Sequence, residues 1–285
     1  MQNISDTMSH LFSLNIKGQL REYTQPIVMG IINVTPDSFY CGSRHSDADA
    51  AVATAERMLA QGAAMLDIGG CSTRPGSTPA TADEELRRVI PAIEAIRARF
   101  PEAVISIDTF RANVARMAIQ AGADIINDIS AANIDPGIID VAADLKAPYI
   151  LMHPADASLS PSTPDEETTS TVLADLQRVL RDLRQRGICD IIIDPGFGFG
   201  KTLQQNYRLM ADLESFQTFG CPILVGISRK SMINRLLDVD PQSTDSLLGT
   251  DILNAFSLLH GADILRVHDV KPAVDAIKII SRLTN

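Results

Sequence analysis

The chain has 285 residues, a net charge of −10 and 45% hydrophobic residues, with 5% aromatic residues and no tryptophan. So acidic a balance argues against a nucleic-acid or anionic-membrane surface, and any anionic ligand would need local cations or a divalent metal. No apolar run approaches the roughly 20 residues that span a bilayer. The opening MQNISDTMSHLFSLN lacks the basic and apolar regions of a secretory signal. A cytoplasmic location is therefore expected. Reduced thiols go with it, because Cys41, Cys71, Cys189 and Cys221 show no C-x-x-C spacing.

Residues 1–25 read as an N-terminal extension, with apolar stretches at 12–16 and 19–23 flanking Lys17-Gly18 as in a short hairpin. From 26 to 285 one grammar repeats. A buried-strand run ends in polar or glycine residues and an amphipathic segment follows. The runs are 27–32 ending at Asn33, 64–68 at Gly69-Gly70, 104–107 at Asp108, and 124–126 at Asn127-Asp128. The later ones are 149–152 ending at His153, 190–193 at Asp194, 222–227 at Ser228-Arg229-Lys230, and 262–267 at His268-Asp269. Continuous apolar runs of this length suit strands buried on both faces, as in a parallel sheet.

Helical periodicity marks 47–61, 82–99, 112–122, 172–187, 203–219, 246–261 and 271–283. Gly62, Gly122, Gly187 and Gly261 stand at C-cap positions. Eight strand–helix repeats predict an α/β fold, a (β/α)8 TIM barrel over 26–285, with the extension against its bottom. A doubly wound open sheet is the alternative, since periodicity does not reveal closure. Stretches 71–81 and 154–171, rich in Gly, Pro, Ser and Thr, read as exposed loops.

In a barrel the carboxyl ends of all strands share one face, where chemistry takes place. The residues deposited there are Asn33, Asp108, Asn127, Asp128, His153, Asp194, Lys230, Arg266 and His268. Any one of them has a bland role as a turn former, cap or solvated charge. Together, so many ionisable groups on one rim destabilise it unless a ligand uses them. Asp108, Asn127 and Asp194 on the middle strands suit a flat heterocycle carrying N–H donors, since an ionised carboxylate only accepts. Lys230, Arg266 and His268 come from the last two strands, where barrels often hold phosphate, and Arg74 joins them from loop 71–81. Ser231 opens a short helix whose N–H groups suit a carboxylate or phosphate.

Residues 30–39 (GIINVTPDSF), 72–76 (STRPG), 106–109 (SIDT), 126–128 (IND), 194–201 (DPGFGFGK), 228–231 (SRKS) and 266–269 (RVHD) resemble dihydropteroate synthase in order and spacing. The resemblance covers about 14–283. It implies condensation of 6-hydroxymethyl-7,8-dihydropterin diphosphate with 4-aminobenzoate, in folate biosynthesis, by an enzyme that uses Mg2+, is usually a homodimer and is the target of sulfonamides. It further implies that Asp108, Asn127, Asp194 and Lys230 hold the pterin, with Met152 against its ring, and that Asn33 holds the metal. Thr73, Arg74, Arg266 and His268 would bind diphosphate. Phe39, Pro75, Phe197, the Lys230 stem and Ser231 would form the aminobenzoate slot.

The chemistry agrees with the residues. An aromatic amine is neutral at pH 7 and needs no base, and no Ser–His or Cys–His dyad is evident in the sequence. Loss of diphosphate next to an electron-rich pterin is expected to be dissociative, with carboxylates stabilising the cation. The sequence departs from the family at Cys41 and Cys71, where acidic residues are common, and at Met152-His153-Pro154-Ala155-Asp156. Two alternatives share the fold: a pterin-binding methyltransferase domain serving a corrinoid, and a catalytically silent pterin-binding paralogue.

Overall fold

The computed structural model describes residues 12–34, 44–71, 80–155 and 157–284. Strands β1 (Phe12–Ile16) and β2 (Gln19–Tyr23) pair antiparallel. Lys17 and Gly18 between them have φ of 51° and 83°, as tight two-residue hairpin loops require. Eight parallel strands follow: β3 (Ile27–Asn33), β4 (Met65–Gly69), β5 (Val104–Asp108), β6 (Ile125–Asp128), β7 (Tyr149–Met152), β8 (Ile191–Asp194), β9 (Leu224–Val225) and β10 (Ile264–Val267).

The strand order is β8-β7-β6-β5-β4-β3-β10-β9. The ring closes where Ile193 bridges Ile223 and donates its N–H to the carbonyl of Pro222 at 2.9 Å. That closure decides for the barrel and against the open sheet.

The helices are α1 (Arg44–Ala60), α2 (Ala82–Arg99), α3 (Ala112–Ala121), α4 (Gly137–Leu145), α5 (Thr168–Gln185), α6 (Leu203–Ala211), α7 (Ser231–Leu237), α8 (Thr244–Leu259) and α9 (Val270–Thr284). Helix α4 fills a connection for which the periodicity predicts none. It has nine residues, and its dense apolar content hides a helical stripe. The expected helix 203–219 is α6 followed by a 3-10 segment at Leu213–Phe219. Among the described residues no helix is long and apolar enough to cross a membrane.

Register partners in neighbouring parallel strands face the same side, so the inward set can be followed around the ring. Met29, Met65, Val104, Ile125, Ile150, Ile192, Leu224 and Ile264 make an apolar layer. Phe12, Leu14 and Ile16 of the hairpin close that layer from the strands' amino ends. The hairpin is tied down where the Asn15 N–H donates to Asp190 Oδ1 at 2.8 Å and Lys17 Nζ meets Asp124 Oδ1 at 2.6 Å.

Two residues further along the strands, Asp67, Ser106, Asn127, Met152, Asp194 and Arg266 occupy inward positions, with Asn33 and Asp108 beyond them. The interior thus turns from apolar to polar within one pleat.

Leu14 is 1% exposed. Leu14→Ala should remove about 2–5 kcal/mol of stability, read as a lowered urea midpoint, because it opens a cavity under the barrel.

Candidate active site

Asp194 ends β8 and is buried, and its Oδ1 accepts the N–H of Gly196 at 2.8 Å. Gly196 has φ of 72°, and a Cβ there would lie 2.1 Å from the carbonyl oxygen of His153. Only glycine lets the 195–200 loop approach the end of β7 so closely. Lys201 staples the same loop, donating from Nζ to the carbonyls of Gly196 at 2.7 Å and Phe199 at 3.1 Å. Burial pulls its ammonium down to about 7, against the attraction of Asp194.

Lys230 is the N-cap residue of α7 and turns its side chain back over this loop. Its Nζ donates to the carbonyl of Phe197 at 2.5 Å and sits 4.6 Å from the ring centroid of Phe199. Burial lowers its pKa to about 8, with Asp194 opposing the shift. Arg229, just before it, is held in the left-handed region at φ 55° by Asp269 at 2.8 Å and by the carbonyls of Pro241 and Ser243. The Ser228-Arg229-Lys230 turn is thereby shaped so that lysine, not arginine, faces Asp194.

Across the barrel, Arg266 on β10 donates from Nε to Asp67 Oδ2 and from Nη2 to Asp108 Oδ2, each at 2.6 Å. Asn127 donates from Nδ2 to the same Asp67 oxygen at 3.0 Å, and its own Oδ1 makes no hydrogen bond to a described residue. Burial pushes the Asp108 carboxyl up to about 7, against the pull of Arg266 and helped by Asp67. Burial raises Asp194 as well, opposed by Lys230. Met152, the register partner of Asp194, is buried and faces the same interior at the same level.

His268 follows β10, and its backbone N–H donates to Ser228 Oγ at 3.2 Å, with Nδ1 3.0 Å from the same oxygen. Asn33 ends β3 opposite Gly69 and is part-exposed. Ser231 is exposed at the first turn of α7. Asp108, Asn127, Met152, Asp194, Lys230 and Arg266 therefore face one space, with Asn33 and His268 at its rim.

Three expectations need correction. Phe197 is 0% exposed and packs in the main core, so it has no surface to offer a ligand; Phe199, beneath Lys230, is the part-exposed aromatic of that loop. Asp128 and His153 follow inward residues and so point outward. Asp128 accepts from Ser130, from Ala132 and from the Tyr149 hydroxyl, whose pKa burial raises. His153 Nε2 lies 3.3 Å from Asp175 on α5, and burial lowers the imidazole pKa to about 4. Asp67 is the residue that sequence reasoning passed over; the signal for it was a lone carboxylate inside the apolar run 64–68. Phe39, Cys41, Thr73, Arg74 and Pro75 lie outside the described residues.

The family model of pterin binding enzymes matches residues 29–268. Dihydropteroate synthase of Escherichia coli K12 is 42% identical over 271 residues, 93% of this chain and 94% of that protein. The chain belongs to the dihydropteroate synthase family. The Xanthomonas albilineans dihydropteroate synthase with 4-aminobenzoic acid superimposes with a TM-score of 0.87 at 39% identity, covering 95% of this chain and 97% of the other. The Yersinia pestis dihydropteroate synthase in a sulfonamide drug complex gives 0.85 at 39% identity, covering 95% and 98%. Matches of this length to dihydropteroate synthases decide against the methyltransferase-domain alternative.

The position of Asp108 sets a pH dependence. With its pKa near 7, the fraction present as carboxylate, and so able to accept a ligand's N–H, grows as pH rises through 7. Affinity for a pterin should strengthen from pH 6 to pH 8, and Asp108→Asn should flatten the profile. Titration calorimetry at several pH values measures both, and a flat parent profile would contradict this assignment.

Proposed function

We propose that the chain joins 4-aminobenzoate to 6-hydroxymethyl-7,8-dihydropterin diphosphate, giving 7,8-dihydropteroate and pyrophosphate. One observation carries the reading. Asp108, Asn127 and Asp194 offer acceptors toward the same space that receives Lys230 and Arg266, so a heterocycle with N–H donors and an attached anion both find partners.

In this reading the pterin lies on Met152 and is gripped by Asp108, Asn127, Asp194 and Lys230. Arg266 and His268, with Thr73 and Arg74, take the diphosphate, near the last two strands where barrels favour phosphate. Phe199 and the Lys230 stem flank the aminobenzoate ring together with Phe39 and Pro75, and Ser231 meets its carboxylate. Sulfonamides, which resemble aminobenzoate in shape and charge, occupy the same slot.

Departure of diphosphate leaves positive charge on the pterin methylene carbon, which the carboxylates of Asp108 and Asp194 stabilise without reorganising. The neutral amine then attacks and releases its proton to solvent. Asn33 fits a magnesium site: its amide oxygen is a hard donor, and its side chain makes no hydrogen bond to a described residue. Magnesium keeps most of its ligands as water and phosphate oxygen, so one protein donor suffices. When bound, the ion would neutralise charge on the leaving diphosphate.

We further propose a homodimer. Leu236 and Leu237 on α7, Leu248, Ile252 and Leu259 on α8, and Ile279 on α9 are exposed large apolar residues on neighbouring helices. We place the enzyme in the cytoplasm, where the thiols of Cys189 and Cys221 stay reduced.

The decisive assay is pteroate formation from the dihydropterin diphosphate and labelled 4-aminobenzoate; a silent pterin binder would give none. Asp194→Ala should weaken pterin binding by about 1.5–3 kcal/mol, the range for hydrogen bonds to charged groups. Calorimetry reads this as a loss of roughly 10- to 150-fold. Ile252→Asp should shift the sedimentation coefficient from dimer to monomer, because it buries an unpaired charge in the interface.

A further inference from the structure

Among the described residues, Asp67 is the one carboxylate of the barrel interior for which the proposed reaction has no direct use. It is fully buried at 0% exposure, one pleat above the apolar layer, and lies deeper than Asp108, whose side chain is 19% exposed. Oδ2 takes two hydrogen bonds, from Arg266 Nε at 2.6 Å and from Asn127 Nδ2 at 3.0 Å. Oδ1 has no partner. A buried carboxylate with one bare oxygen is unfavourable, and an apolar side chain like those below would fill the place at less cost. What it does for its two neighbours is the stronger account of its presence.

Those neighbours belong to different halves of the site. Arg266 serves the anion and Asn127 serves the heterocycle. By accepting from Asn127 Nδ2, Asp67 fixes the orientation of that amide and leaves its oxygen for a ligand's N–H. By accepting from Arg266 Nε, it fixes the plane of the guanidinium. Asp108, the other partner of Arg266, is needed by the heterocycle and is within a ligand's reach; Asp67 is not. When ligand engages Asp108, Asp67 is the carboxylate left to hold the arginine.

We propose that Asp67 is a positioning residue that holds Arg266 and Asn127 through the binding cycle, so that one buried carboxylate couples the diphosphate and pterin halves of the site. The proposal rests on the reading of the site given above.

The test uses the full-length protein with two probes, inorganic pyrophosphate with Mg2+ and a pterin-6-carboxylate. Asp67→Asn, which touches neither probe, should weaken both by about 10- to 150-fold, the effect of losing hydrogen bonds to a charged group. In Arg266→Ala, adding Asp67→Asn should change pyrophosphate affinity by no more than about twofold, since the aspartate acts through the arginine. A merely structural role predicts that the two effects multiply.

A measurement on the parent covers the case in which Asp67→Asn does not fold. The Arg266 Nε–H resonance, assigned by its loss in Arg266→Lys, should exchange slowly with water both before and after pyrophosphate is added. Fast exchange on ligand addition, multiplicative effects, or unchanged affinities in Asp67→Asn would each overturn the positioning role. A parent that binds neither probe would overturn the reading of the site itself, and the proposal with it.

Discussion

Pleating gives a strand two faces, and closing the sheet turns one of them into an interior. The rest of this molecule depends on that constraint. The bridge from Ile193 to Ile223 completes the ring, and from then on every second residue of eight strands competes for one narrow space. Apolar residues fill it from the hairpin upward. One pleat later it holds Asp67, Ser106, Asn127, Asp194 and Arg266, and there the interior turns from apolar to polar and charged.

Such an interior stores unfavourable burial. Asp108 and Asp194 are pushed up, and Lys201 and Lys230 are pulled down, all chiefly through loss of water. Each group is nevertheless near a countercharge: Arg266 between Asp67 and Asp108, Lys230 beside Asp194. The arrangement is preorganised for a ligand that brings both N–H donors and negative charge. The acidic net charge of the whole chain is no obstacle, because fields from distant surface charges are screened over about 10 Å of salt solution, whereas these contacts are buried.

The backbone shows the same division of labour. Left-handed residues cluster where loops must return close to strand ends, at Gly196, Gly198 and Gly200 after β8, at Arg229 before α7, and at Ala131 and Ala132 after β6. Arg229 and the Asp128–Tyr149 pair make no ligand contact in the proposed reading. They hold loops whose neighbours do.

Much of this was legible in the chain. Eight apolar runs, their helices and the polar residues at their ends determine the repeated strand–helix architecture and most of the inward site, because strand period and helix period are local properties. Asp108, Asn127, Asp194, Lys230 and Arg266 could be named from their positions at strand ends alone. Other features depend on contacts between segments far apart in sequence. Closure was one, since no local pattern reports what β8 pairs with. The facing of Asp128 and His153 was another, a matter of a single residue in register. The exchange of Phe197 for Phe199 followed from how the glycine loop folds back against His153. Asp67, read locally, is a polar residue in a strand. Only tertiary structure decided its role, because its partners Asn127 and Arg266 stand 60 and 199 residues away and meet it from β6 and β10, the strands next but one on either side of β4.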